Sequence, residues 1–382
     1  MKFTPYGMHD LEHNDFEAVL KSLKSQILTR GPEVQNFEKN IAKYVGVKYA
    51  VAVSSCTAGL HLALMSLSTN LNKDKVITSP ISFVSTANSI LLNNLKPEFA
   101  DINPDTLNID PEYILERYKN RKDIKAIMPV HLTGLAAHSN EIFKFAKKKK
   151  IQVIEDAAHS FGGKYQCGSK IGSCKYSDMT VFSFHPVKSI TTLEGGVITT
   201  NSKKLFKKLC ILRNHGIEKK KKHAAWFYEV AEVGLNYRIS DVQCALGNSQ
   251  LKKIDIKMKK RTKIAKFYEN KFYNLKHLSI PCLKKRDISA NHLFVIKIDF
   301  KKKRLTRTQF CKKLLKKNIG TQLHYIPIPL HKSFKKKGYN LNELPNTKDY
   351  YEKAISIPIF VSLNLSSQKN IIKEIKKILK EN

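Results

Sequence analysis

Apolar positions along this chain follow two rhythms that take turns. In KYAVAVSSC, KVITS, PEFADI, AIMPVHL, IQVIEDAA, MTVFSF and GGVITT the residues are apolar nearly throughout and closed off by polar or small residues. Such runs predict strands buried on both faces. Between them the spacing changes to that of a helix. HNDFEAVLKSLKSQ carries polar capping residues in front of a helical pattern. After Gly31 and Pro32, the residues Val34, Phe37, Ile41, Tyr44 and Val45 mark the apolar face of a second helix. TAGLHLALMSL and NEIFKFAKKKK predict two more.

Strands without polar faces, alternating with helices, predict an α/β fold with a mostly parallel sheet covered on both sides. This domain runs from about residue 12 to about residue 245. Beyond it, SQLKKIDIKMKKRTKIAKFYENKFYNL predicts one long connecting helix. NHLFVIKIDF (strand), RTQFCKKLLKKN (helix), IGTQLHY (strand) and SSQKNIIKEIKKILKEN (helix) predict a smaller α+β unit. The division is therefore residues 1–248, a large domain with an N-terminal helical segment, and residues 249–382, a small C-terminal domain. No internal repeat or low-complexity linker interrupts it.

Composition narrows the picture. A chain of 382 residues is too long for one small core. No apolar run approaches the ~20 residues of a membrane span, and MKFTPYGMHDLEHNDF lacks the apolar stretch of a signal peptide. The expectation is a soluble, cytoplasmic protein with no membrane partner. Seven cysteines, an odd number without a CxxC pair, predict reduced thiols and no metal site. The formal charge of +36 raises nucleic acid as a partner. Nine arginines against 59 lysines argue the other way, because phosphate and base readers favour Arg. The lysines are spread along the chain, as KKKK at 147–150, KKKK at 219–222, KKKR at 301–304 and KKK at 335–337. They predict a solvated surface with a general attraction for anionic ligands, and no nucleic-acid partner.

Three separated pieces carry candidate chemistry. In SSCTAGL, residues 54–60, small residues join a strand end to a helix start. Backbone N–H groups there, with Ser55 and Thr57, suit a phosphate, although an ordinary capped helix reads the same way. In VIEDAAHS, residues 153–160, Asp156 stands at the C-terminal end of a buried strand, the edge where α/β sheets bind ligands. A helix cap or an internal ion pair is the alternative. Glu155 points to the opposite face. In SFHPVKSITTLEGG, residues 183–196, Lys188 follows the next strand end. A lysine there loses water, and its pKa falls toward that of a nucleophile. A phosphate cradle, a strand-end carboxylate and a sheet-edge amine together describe a pyridoxal 5′-phosphate site, with Asp156 on the pyridine nitrogen. Phe83 is the candidate to stack on the ring, with core burial as its alternative.

The segments SSCTAGL, SPISFVSTANSI, FADI, IEDAAHSFG, SFHPVKSITTLEGG, LRNHG and GLNYRISDVQCALG occur in that order. With them the chain resembles, over nearly its whole length, the sugar aminotransferases of the DegT/StrS type, which have the aspartate-aminotransferase-like fold of pyridoxal-phosphate-dependent transferases. The resemblance implies Lys188 and Asp156 as catalytic residues. It implies Cys56, Thr57, Phe83, Asp156, His159, Ser183, Lys188 and Asn236 around the cofactor, Asn236 reaching it from the partner of a homodimer. Arg238 is a weaker candidate for an anionic ligand; an exposed loop capped by Ser240 or Asp241 is the alternative for this segment. Tyr6, Gln26, Ile27, Leu28, Thr29, His324, Tyr325, Ile326 and Pro327 are implied at the nucleotide-sugar end. The substrates implied are L-glutamate and a UDP-linked 4-keto-6-deoxy-N-acetylhexosamine, or another nucleotide keto sugar. Two features need comment. The dehydratase branch carries His where Lys188 stands, so the lysine favours transamination. Cys56 occupies a loop where small residues are usual. His131, in PVHLTG, fits the family pattern or a plain structural histidine.

Overall fold

The computed structural model describes residues 2–67, 72–218, 224 and 226–380. Helices α1 (His13–Leu23) and α2 (Pro32–Val45) precede the sheet. Seven strands follow: β1 (Tyr49–Val53), β2 (Lys75–Thr78), β3 (Lys96–Phe99), β4 (Ile124–Met128), β5 (Gln152–Asp156), β6 (Met179–Ser183) and β7 (Gly196–Thr200). Their spatial order is β1-β7-β6-β5-β4-β2-β3. Strands β2 to β6 pair in parallel. Strand β7 runs antiparallel to both β1 and β6. Parallel neighbours need a crossover, usually a helix. The segment between β6 and β7 holds none, so the chain turns straight back.

Helices α3 (Cys56–Met65), α4 (Ser85–Leu92), α5 (Pro111–Tyr118), α6 (Ser139–Lys149), α7 (Lys203–Leu212) and α8 (Asp241–Leu251) cover the sheet. Alternation along β1 shows both faces at work. Val51 and Val53 share a cluster with Leu60 and Leu64 of α3. Ala50 and Ala52 share another with Phe37 and Ile41 of α2. Helix α2 begins at Gly31, which has no side chain to cap it. Asp241 does so from 210 residues away, accepting from the N–H of Gly31 at 2.8 Å and of Glu33 at 2.9 Å. A hairpin of β8 (Ile217–Glu218) and β9 (Glu229–Val230) lies between α7 and α8.

The C-terminal part contains α9 (Ile254–Phe272), β10 (Leu278–Ser279), β11 (Phe294–Ile298), α10 (Arg307–Leu315), α11 (Lys332–Lys335), α12 (Pro345–Lys353), β12 (Ala354–Ile357) and α13 (Leu365–Lys380). Its three strands form an antiparallel sheet in the order β10-β11-β12. Tyr268, Phe294, Phe310, Ile355 and Ile375 lie in one apolar cluster. Thr4 reaches this part, bonding Asn318 and Gly320 through its backbone at 2.8 Å each.

Two expectations are corrected. The single long helix from residue 249 is two helices, because Lys253 leaves helical geometry (φ −108°, ψ 4°). The end of α8 buries Ser249, Gln250 and Leu251, whereas Ile264 and Tyr268 of α9 join the C-terminal core. The segment IGTQLHY is not a strand. It makes only single bridges, Thr4 to Ile319 and Gln322 to Ser356. The chain then leaves β12, with the His324 ring bonded to the Ser356 hydroxyl at 2.8 Å. Strand β12 itself was absent from the sequence reading. All seven cysteines are free thiols. The lysine run at 219–222 lies outside the described residues. Lysines 147–149 sit in the last turn of α6, where they complement the helix dipole. Lys257 is no surface lysine: buried, it donates to Gln250 at 2.6 Å and to the Asp10 carbonyl at 3.0 Å.

Candidate active site

A cavity of about 710 Å³ opens where β1, β5 and β6 end. Gly196 explains how the strand ends converge. It pairs with both Val53 and Ser183, and a Cβ on it would lie 2.8 Å from the Cys56 nitrogen and from the Phe182 carbonyl oxygen. Only a glycine lets α3 start so close to the end of β6. Ser55 caps that helix, its hydroxyl accepting from the Ala58 N–H at 3.1 Å. Cys56 and Thr57 are the first helical residues. Ser55, Cys56, Thr57 and Ser183 all line the cavity.

Asp156 is buried at the end of β5. Thr86 of α4 donates to its Oδ2 at 2.7 Å, and the Ala158 N–H to its Oδ1 at 3.2 Å. Burial pushes this carboxyl up from its ordinary pKa, against the Thr86 and Ala158 hydrogen bonds and the field of Lys188. Glu155 points the other way, as expected. It accepts from Tyr165 (2.6 Å), Thr180 (2.7 Å), Ser177 (2.9 Å) and Ser139 (3.0 Å), and lies 3.2 Å from the His131 ring. Burial raises the Glu155 pKa, but the adjoining His131 ring and these donors outweigh that and hold it at about 2. His131 also accepts from the Ala137 N–H at 3.1 Å, which is the structural-histidine alternative.

Lys188 lines the cavity. Burial and the nearby Arg261 charge pull its amine down, Cys56 and Asp156 oppose them, and the result is about 8. Burial, with some help from Asp156, raises the Cys56 thiol well above its usual range, so it stays protonated. Phe83 is 58% exposed, which removes the core-burial alternative and leaves its ring free toward the cavity. Tyr325 stands 5.9 Å from it, and its hydroxyl lies 3.1 Å from the His159 Nε2. Tyr6, His324 and Ile326 complete that wall.

The cavity thus collects Lys188, Asp156, Cys56, Thr57, Phe83, His159, Ser183, Tyr6, His324, Tyr325 and Ile326. It does not collect Pro327, which is buried next to it. Nor does it collect Gln26, Ile27, Leu28, Thr29 or Asn236, all of them exposed. Thr29 bridges to Ser240, and Asn236 to Asn214. Arg238 donates to Asn214 at 2.9 Å. Ser240 caps α8, as its alternative reading had it. Thr86, buried behind Asp156, and His292, on the cavity wall, give no sign of their roles in the sequence. Thr86 lies inside a motif already quoted, but its bond to Asp156 spans 70 residues. His292 just before β11 gave no local signal.

The residues fit pyridoxal 5′-phosphate. A buried carboxylate whose close partners among the described residues are one hydroxyl and one N–H suits a protonated ring nitrogen. The start of α3 beside Ser183 suits a phosphate. A sheet with helices on both faces and this site at its strand ends defines a pyridoxal-phosphate-dependent transferase of the aspartate-aminotransferase type. The profile of the DegT/DnrJ/EryC1/StrS aminotransferase family matches residues 9–376, and the chain belongs to that family. Its cofactor is pyridoxal 5′-phosphate. The UDP-4-amino-4,6-dideoxy-N-acetyl-beta-L-altrosamine transaminase of Campylobacter jejuni serotype O:23/36 is 40% identical over 365 residues, 95% of this chain and 94% of that one. The spore coat polysaccharide biosynthesis protein SpsC of Bacillus subtilis is 37% identical over 385 residues, 99% and 97% of the two chains. The solved structure of Helicobacter pylori PseC, an aminotransferase involved in the biosynthesis of pseudoaminic acid, matches with a TM-score of 0.93 and 33% identity, over 100% of both chains.

Proposed function

We propose that this aminotransferase moves the amino group of L-glutamate to C4 of a UDP-linked 4-keto-6-deoxy-N-acetylhexosamine, giving UDP-4-amino-4,6-dideoxy-N-acetyl-β-L-altrosamine for pseudaminic acid synthesis. The observation that carries the amino-transfer chemistry is the placing of Lys188 and Asp156 on one cavity. The choice of sugar is supported by full-length similarity to transaminases of that name from two Campylobacter strains and from Helicobacter, at 40%, 38% and 36% identity.

When bound, pyridoxal 5′-phosphate supplies an aldehyde that exchanges amines and a ring that draws electron density from the neighbouring carbon. The rest is work for the chain. The Lys188 amine holds the cofactor, and once displaced it moves the proton at Cα of the amino donor. Asp156, steadied by Thr86, keeps the proton on the ring nitrogen. Ser183, Thr57 and the N–H groups at the start of α3, Cys56 included, take the phosphate. Phe83 and His159 bound the ring. Tyr6, His324, Tyr325 and Ile326 close the nucleotide-sugar end and exclude water.

The same reading includes a cytoplasmic homodimer. In this reading Gln26–Thr29, Asn236 and Arg238 complete the partner's cavity, consistent with their not lining the cavity of their own chain. Among the described residues no helix is long and apolar enough to cross a membrane. The reading keeps two units, residues 1–248 and 249–382, supported by the separate C-terminal apolar cluster. The test is a panel of UDP-, dTDP- and GDP-linked 4-keto sugars offered with L-glutamate, with 2-oxoglutarate release measured. The UDP-N-acetylhexosamine should turn over fastest, and preference for a dTDP or GDP sugar would overturn the assignment.

A further inference from the structure

Two histidines on the cavity wall have nitrogens without a hydrogen-bond partner among the described residues. The Nδ1 atoms of His159 and His292 are both buried without a hydrogen-bond partner. The two rings lie 4.5 Å apart, tilted by 46°. Burial and the Lys188 charge push both below the ordinary histidine range, so they meet as neutral rings without mutual repulsion.

They come from distant parts of the chain, His159 from the loop after β5 and His292 from just before β11. Gly134 makes their meeting sterically feasible. Its φ is +108°, and a Cβ there would lie 2.9 Å from the Asn291 nitrogen and 3.1 Å from the His159 carbonyl oxygen. The His292 N–H donates to the Thr133 carbonyl at 2.9 Å. From behind, the buried Arg261 guanidinium donates through Nη1 to the carbonyls of Ile359 (3.2 Å), Asn291 (3.4 Å) and His292 (3.5 Å). A buried cation directed at three carbonyls fixes the backbone that carries His292. On its other side the His159 ring meets the Tyr325 hydroxyl.

We propose that His292 is a positioning residue for His159: its ring, backed by the Arg261 clamp, holds the His159 ring in one orientation against the cofactor. This rests on the reading of the cavity as the cofactor site, but not on any choice of sugar. The two are separable because the test uses holoenzyme without keto sugar. Release of pyridoxal phosphate is followed on dilution by loss of the visible absorbance band.

His292→Ala should release cofactor about tenfold faster, as loss of one aromatic pair allows, and its band should be displaced. His292→Phe, which restores a ring but no nitrogen, should return the release rate to within about twofold of wild type by the same principle. In a His159→Ala background, His292→Ala should add nothing, because residues acting through one another are not additive. Three results would each overturn the proposal: release from His292→Ala at the wild-type rate, a Phe variant as leaky as the Ala variant, or additive effects in the double variant. If a thermal melt shows His292→Ala unfolded, His292→Leu takes its place, filling the volume without a ring, and the same three outcomes decide.

Discussion

An ordinary lysine amine is neutral in about one molecule in 2,500 at pH 7, whereas an amine at about 8 is neutral in about one in ten. Only the neutral amine attacks an aldehyde, so the desolvation of Lys188 sets a measurable pH window. Capture of added pyridoxal phosphate by the cofactor-free protein should speed up about tenfold per pH unit below pH 8 and level off above it. Stopped-flow absorbance reads this directly, and a rate still climbing tenfold per unit past pH 9 would place the amine at its ordinary value. Asp156→Asn keeps the shape of the cavity but not the charge facing the ring nitrogen. It should retain cofactor and lose at least about a hundredfold in kcat, since ~1.4 kcal/mol of transition-state stabilisation is worth tenfold. Near-normal turnover would remove Asp156 from that role. Lys188, Asp156 and Ser183 were legible in the sequence because each punctuates a strand end, where a local pattern betrays position. Thr86 and His292 were not, since each matters only through a neighbour that tertiary packing brings to it.

At the level of elements, the same limit applies. Strands β1 to β7 and helices α1, α2, α3 and α6 stand where the apolar rhythm placed them. The break between α8 and α9 was hidden because lysines at 252 and 253 suit a helix surface as well as a junction; α9 shares Ile254 with the core of α8 and then carries Ile264 and Tyr268 into the C-terminal core. Strand β12 was missed and IGTQLHY misread because a short edge exposes no period long enough to judge. The start of α2 is another case. Its cap is Asp241, remote in sequence and invisible to a search for local capping residues. Asp241→Ala strips the acceptor from Gly31 and Glu33 at once, and hydrogen bonds to a charged group are worth about 1.5–3 kcal/mol. The urea midpoint should fall by an amount equivalent to about 2 kcal/mol with the m-value unchanged. An unmoved midpoint would show that water replaces the cap.

For the whole molecule, the proposed sharing of sites between two chains has a testable consequence. Lys188→Ala and an Asn236→Ala variant should each be inactive as homodimers. Mixed under conditions that let chains exchange, they should regain activity, because one cavity of each heterodimer receives Lys188 from one chain and Asn236 from the other. No recovery after demonstrated exchange, or a monomer by sedimentation under assay conditions, would reject the arrangement. The pairing of Thr4 with Ile319 bears on how the site comes into being. These residues are about three hundred apart in sequence, so the bridge closes a loop of that size, at an entropic cost that grows only slowly with length. The strand ends that hold Lys188 and Asp156 belong to one stretch of chain and assemble around their own core. Tyr6, two residues beyond Thr4, meets His324 across that long closure, their rings 5.1 Å apart. The far wall at the sugar end is thus a junction of the two ends of the chain, whereas Lys188 and Asp156 stand on strand ends of one stretch between them.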